Sequence, residues 1–278
     1  MEKSHAAAAG LERIWREEAR VEDDWAAIYD KVYDELQPCY RLYKERVVDL
    51  VLEHWRGGRI LEVGCGTGAV LSRLAQRGVP QTSLVGVDIS ARMVEAARRK
   101  LPLAEFAATP FELYLPASPF RVVYFCGSLH HMPNQRLVAD TVSAITTEGA
   151  SVVVCEPNQR WIFTPVWLNR TARALNPWWL WLRWKNRASI RAIQELISRQ
   201  EDPAFHVHVE SREVDEAFRE KFVRVRTQTD FGMTRLFEGV LVDDSAGMGA
   251  VRFGDRLLGR MAPASGGSIE MVYERRTR

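Results

Sequence analysis

Two periodicities alternate along this chain of 278 residues, and their order predicts its architecture. From residue 11 to about 55 apolar side chains recur at helical spacing, first through Trp15, Trp25, Ile28, Tyr29, Val32, Tyr33 and Leu36. Pro38 marks a break, after which Tyr40, Tyr43, Val47, Leu50 and Val51 continue as a second helix. Short apolar runs then alternate with helical patterns, giving strands near 59–63, 84–88, 103–106, 121–126 and 150–155. Such alternation implies an α/β fold built on a doubly wound, mostly parallel sheet with helices on both faces. Ligands of such sheets lie at the carboxyl ends of the strands.

Beyond Pro157 the pattern changes. Six of the nine tryptophans fall between residues 161 and 184, at 161, 167, 178, 179, 181 and 184. Asn176-Pro177 supplies a capping side chain and a proline suited to the first helical position. In the helix expected there, Arg183, Arg187 and Arg191 form one basic stripe, while Trp179, Leu182, Ile190, Ile193 and Ile197 share a different face. Three roles suit such a cap: an aromatic face packed as core, an apolar lid over a substrate, or contact with a membrane surface, which is not favoured. Phe222–Thr229 and Ser268–Glu274 return to strand character around a glycine-interrupted helical segment. The expected division is a helical cover at 1–55, an α/β core at 56–158, the tryptophan-rich cap at 159–210, and the end of the core at 211–278 with a helical insertion near 231–262.

The chemistry concentrates at the end of the first strand. Residues 60–68 read Ile-Leu-Glu-Val-Gly-Cys-Gly-Thr-Gly, so an apolar strand ends in Glu62 and runs into a turn whose glycines allow a ligand to approach the backbone closely. Asp88 lies twenty residues beyond Gly68 and closes the next strand, where a carboxylate can accept hydrogen bonds from both ribose hydroxyls. Gly64-x-Gly66-x-x-Ala69 also satisfies the dinucleotide fingerprint, which keeps a nicotinamide-dependent oxidoreductase as an alternative. Composition narrows the rest. A net charge of +2 without a basic block gives nucleic acid no support. The four cysteines, at 39, 65, 126 and 155, lack the paired spacing of metal or disulfide sites, so no metal is expected. No apolar run is long enough for a secretion signal or a membrane span, and a cytoplasmic location is the expectation.

Glu62-x-Gly64-x-Gly66-x-Gly68, followed by Val85-Gly86-Val87-Asp88-Ile89-Ser90 and Met93, resembles the first two motifs of class I S-adenosylmethionine-dependent methyltransferases. Ser128-Leu129-His130-His131-Met132-Pro133 and Cys155-Glu156-Pro157-Asn158 extend the resemblance across residues 59–158. It implies a seven-stranded sheet whose last strand is antiparallel, with S-adenosylmethionine as cofactor. The glycine turn would face the methionine part and Asp88 the ribose. The cofactor-binding set it implies is Tyr33, Glu62, Gly64, Cys65, Gly66, Gly68, Asp88, Ile89, Met93, Thr109, Ser128 and Leu129. Two departures stand out. Ala107-Ala108-Thr109 replaces the Gly-Asp-Ala that many relatives carry, which leaves adenine to backbone groups or Thr109, and Arg121 replaces the aspartate that usually follows Phe120.

Methyl transfer needs alignment of the acceptor and, where the acceptor has a proton to lose, a base. His130, His131 and Glu156 are the candidates, because they follow the fourth and fifth strands at the ligand end of the sheet. Each also suits a purely structural role in holding loop carbonyls or amides. Tyr29 is a weaker candidate from the cover, and His206 and His208 are weak substrate-side ones. The tetrad that amino-methylating nucleic-acid enzymes place after their fourth strand is missing, which disfavours a nucleic-acid base as acceptor; given the tryptophan-rich cap, a small apolar or aromatic acceptor is expected, with oxygen ahead of nitrogen or carbon. A chain that binds the cofactor without turnover is the remaining alternative. The sequence carries no sign of oligomeric state.

Overall fold

The computed structural model describes residues 2–157, 171–198, 211–231, 245–261 and 268–276. The chain opens with α1 (Glu2–Trp25), a π-helical turn at Lys31–Glu35, and α2 (Pro38–His54). Pro38 is thus more than a break. It occupies the start of α2, where its missing N–H costs no helical hydrogen bond.

β1 (Ile60–Val63) and β2 (Leu84–Asp88) are buried at every position, as strands covered on both faces must be. β1 pairs in parallel with β2 and with β4 (Phe120–Cys126), β3 (Glu105–Ala108) adds beyond β2, and β5 (Thr146–Pro157) beyond β4. β7 (Ser268–Arg275) runs antiparallel to both β5 and β6 (Phe222–Asp230), which gives the order β3-β2-β1-β4-β5-β7-β6. The order reverses between β1 and β4, and the crevice beyond their carboxyl ends is the ligand position of this architecture.

Two expected strands are displaced by two residues or more, and the others by at most one. β3 lies two residues later than its apolar run suggested, because Leu101 turns inward to close the preceding helix while Leu103 is left 69% exposed. β5 begins earlier, through the polar Thr146–Gly149, where the register against β4 shifts and Gly149 adopts a φ of +67°.

α2, α3 (Ala69–Gln76) and α4 (Ala91–Lys100) cover one face of the sheet around Val47, Leu50, Leu71, Leu74, Val94 and Tyr124. The other face carries α5 (Gln135–Ile145), whose Val138 and Val142 meet Val63 and Phe125. Burying a side chain of this size stabilises the fold by about 1.5–3 kcal/mol each.

The cap is two helices, α6 (Pro177–Lys185) and α7 (Arg187–Ile197), where the sequence suggested one. Asn186 ends the first, its N–H donating to Leu182 O, and starts the second. Arg183 therefore belongs to a different helix from Arg187 and Arg191, and the basic stripe is not one continuous face. Two of the arginines instead lie over neighbouring rings, Arg183 5.5 Å from Trp179 and Arg187 5.5 Å from Trp184. Trp179, Leu182, Ile190 and Ile193 pack with Val32 and Cys39 of the cover and with Val251 of a later helix, so this part of the cap is a third core. Beyond it, α8 (Ser211–Phe218) adds Val214 and Phe218 to the α5 face, and α9 (Ser245–Met261) supplies Val251. Among the described residues no helix is long and apolar enough to cross a membrane.

Candidate functional site

The turn after β1 is shaped by backbone pairing and by a close neighbour. The N–H groups of Gly64 and Cys65 both donate to Val87 O, at 2.8 and 3.0 Å, so the turn is held against the end of β2. Gly64 has a φ of +70°, and a Cβ there would come within 2.4 Å of Ser128 Cβ. Its side chain is excluded by the turn after β4. Asp88 sits opposite, with Oδ2 accepting from Gly66 N at 2.7 Å and Oδ1 from Ser90 N at 2.9 Å. Burial pushes its carboxyl up, and these two N–H donors pull it the other way.

A cavity of about 490 Å³ opens over this turn, within the range of small-ligand sites. α1 roofs it with Ile14, Trp15, Glu18, Glu22 and Trp25, and Tyr29, Tyr33, Tyr40 and Tyr43 extend the roof. Tyr33 lies 4.9 Å from Tyr29 and 4.8 Å from Tyr40, ring centre to ring centre, in one contiguous aromatic wall. Two carboxylates fasten the roof to the ligand turns. Asp23 accepts from Ser90 Oγ at 2.5 Å and from Arg92 N at 3.0 Å; Asp30 accepts from Thr67 Oγ1 at 2.5 Å and pairs with Lys100 at 2.5 Å.

Acid and base groups sort by what they touch. Glu156 is 3% exposed and does not line the cavity. Its Oε1 accepts from Ser128 N and Leu129 N, at 3.0 and 2.8 Å, and its Oε2 lies 2.7 Å from His130 Nδ1. It therefore shapes the turn after β4. His131 does line the cavity, with Nδ1 2.7 Å from Glu18 Oε1, a contact that becomes an ion pair when the imidazole is protonated. Burial lowers its affinity for a proton, but Glu18, Glu22 and Glu156 together raise it above the ordinary histidine value.

Glu62 is 2% exposed, and its Oε2 has no hydrogen-bond partner among the described residues. Burial pushes its carboxyl up to about 8. A carboxyl raised in this way favours the folded state while protonated. That contribution is whole below the unfolded value of 4.5 and is lost as pH climbs through about 8. Between pH 5 and pH 8, stability measured by denaturant unfolding should therefore fall less in Glu62→Gln than in the native chain. Equal falls would remove Glu62 as the cause.

Of the residues expected at the site, Tyr33, Glu62, Gly64, Cys65, Gly66, Asp88, Ile89, Thr109, Ser128, His130 and His131 converge on the cavity. Gly68, Met93 and Leu129 do not line it. Gly68 starts α3 at a φ of +73° against Ala97, the N–H of Met93 donates to Ser90 Oγ, and Leu129 is core. From the described parts of 157–210 and 231–262, Pro157 and Phe231 reach the cavity; His206 and His208 lie outside the described residues. Sequence reasoning missed Trp15, Glu18 and Glu22. The signal was present: positions 15, 18, 22, 25 and 29 share one helical face, so two carboxylates interrupt an aromatic stripe.

Residues 33–201 match the family described as a methyltransferase domain. Two curated relatives are similar: O-methyltransferase cnsE of Penicillium expansum is 30% identical over 118 residues (40% of this chain, 42% of that protein) and a trans-aconitate 2-methyltransferase of an Azoarcus species is 32% identical over 75 residues (27% and 29%). The chain thus spans less than half the length of these two relatives. A solved structure titled a possible histamine N-methyltransferase from Thermotoga maritima superposes with a TM-score of 0.56 at 14% identity, covering 95% of this chain and 100% of that one. At that identity the likeness is one of fold.

Proposed function

Since the chain belongs to the methyltransferase domain family, we propose that it is an S-adenosylmethionine-dependent methyltransferase acting on a small acceptor with an apolar or aromatic body. The observation that carries this reading is Asp88, fixed by Gly66 N and Ser90 N at the rim of a cavity whose other rim is the glycine turn. The residues fit the cofactor. Gly66 would meet only Tyr29, at 3.8 Å, if it carried a Cβ, so the backbone is open on the cavity side. Glu62 Oε2, without a partner among the described residues, is a buried polar atom that a ligand group would satisfy. Asp88 would hold the ribose, Thr109 and Ile89 the adenine side, and Glu62 with the glycine turn the methionine part.

When bound, S-adenosylmethionine supplies a methyl group on a cationic sulfur, open to in-line displacement by an acceptor lone pair. The chain's own residues do the remainder. Trp15, Trp25 and the tyrosine wall exclude water and align an acceptor. His131 faces the same space and can take a proton from it, whereas Glu156 and His130 hold the turn on which His131 sits. A hydroxyl acceptor, the first expectation from sequence, would use His131 in this way.

Calorimetry with S-adenosylhomocysteine and with NAD tests the reading. One site for the adenosyl ligand and no heat with NAD is the expected result. Preference for NAD would move the chain to the oxidoreductase alternative, and binding with no turnover across an acceptor screen would make it a binder.

A further inference from the structure

Acidic side chains outnumber basic ones in the lining of the cavity, although Glu62 holds its proton up to about pH 8. Glu18, Glu22, Glu62, Asp88 and Glu112 line the space, against Lys44, His130 and His131. Lys44 is shared with Asp34 at 3.4 Å and His130 with Glu156 at 2.7 Å, both outside the lining. Glu18, Glu22 and His131 converge so closely that one ligand atom from each lies within 4.8 Å of the others. Glu18 is 6% exposed, yet its Oε2 has no hydrogen-bond partner among the described residues. A buried carboxylate oxygen without a donor, on a residue that lines a cavity, is costly unless a ligand completes it. Trp15 and Trp25 stand on either side along the same helical face. Aromatic faces beside carboxylates are how proteins receive organic cations.

We infer that Glu18, Glu22 and His131 form a cation-receiving cluster and that the acceptor is a protonated amine on an aromatic or apolar body. This rests on the methyl-transfer reading and moves the reacting atom from the oxygen expected first to nitrogen. The ammonium group docks between Glu18 and Glu22 and gives one proton to His131, whose Nδ1 faces Glu18, so Nε2 is the nitrogen that takes it. The two carboxylates then hold an imidazolium in place of an ammonium, and the cluster's charge is unchanged. The freed nitrogen lone pair bonds the methyl carbon as its bond to sulfur breaks. That electron pair stays on sulfur, and the product leaves as a methylated ammonium while His131 returns its proton to solvent. Glu22 supports the scheme: burial, Asp88 and Glu18 push its carboxyl up to about 7 while His131 pulls it down, the pattern of a site short of positive charge.

The test uses the full chain loaded with S-adenosylhomocysteine, titrated with phenethylamine, 2-phenylethanol and 3-phenylpropanoate while tryptophan fluorescence is followed. The amine should bind roughly tenfold or more tightly than the alcohol, with the carboxylate weakest, and Glu22→Gln should abolish the preference. Glu18→Gln should do the same; if that buried change prevents folding, Glu22→Gln alone decides. Equal binding of amine and alcohol overturns the inference. So does tight binding of Mg²⁺ or Mn²⁺ that both variants lose, which would make the cluster a metal site. A loss of affinity for S-adenosylmethionine but not for its uncharged product would assign the acids to the cofactor's sulfur and overturn it likewise. Absence of S-adenosylhomocysteine binding would sink the methyl-transfer reading, and this inference with it.

Discussion

Asp88→Ala is expected to weaken S-adenosylhomocysteine binding by roughly 10²- to 10⁴-fold. Hydrogen bonds to a charged group contribute about 1.5–3 kcal/mol each, and the ribose would offer the carboxylate two, hence about 3–6 kcal/mol. A second loss adds to it. The carboxylate also accepts from Gly66 N and Ser90 N, so its removal leaves both donors without their partner and loosens the turn that must receive the ligand. Asp88→Asn keeps the shape but removes the charge and should fall between the two. Calorimetry on variants shown to be folded by circular dichroism decides the matter; wild-type affinity in Asp88→Ala would remove this residue from the site.

His131→Ala should leave cofactor affinity within a few-fold of normal while lowering kcat by roughly 10²- to 10⁴-fold with a protonated acceptor. His130→Ala should cost turnover less and stability more, since His130 supports Glu156 and through it the Ser128 and Leu129 amides. Acidity gives an independent readout. His131 must be neutral to take a proton, and Glu18 with Glu22 raises its pKa above the usual histidine value, so activity should climb with pH through that raised value. Glu18→Gln removes the nearest carboxylate charge and should move the inflexion to lower pH. An inflexion that stays in place would detach Glu18 from His131 in function, and normal turnover in His131→Ala would leave catalysis to alignment alone.

The sheet and its glycine turn were legible because they rest on local rules. Ile60–Val63 and Leu84–Asp88 are short, largely apolar runs closed by a glycine turn or an acid, a pattern that strands covered on both faces produce and amphipathic helices do not. The cap was misread where one polar residue decided: Asn186 interrupts a helical period that Arg183, Arg187 and Arg191 otherwise continue. The cover's role was harder to see. Glu18 and Glu22 interrupt the aromatic stripe of α1, but only the placement of α1 across the strand ends brings them to His131 and Asp88. The division of labour between the two histidines also has no local signature. It depends on Glu156 arriving beside one and Glu18 beside the other from distant parts of the sequence.

Asp23 and Asp30 fasten the roof to Ser90 and Thr67, one on each ligand turn. If an adenosyl ligand lies between those turns, opening of the same two contacts would widen its path in and out. A clasp of this kind slows both directions by a common factor and leaves their ratio nearly unchanged. Residence time and equilibrium affinity would thereby be uncoupled, and the pace of repeated turnovers would fall to the opening of α1 wherever chemistry is quicker than release of the spent cofactor.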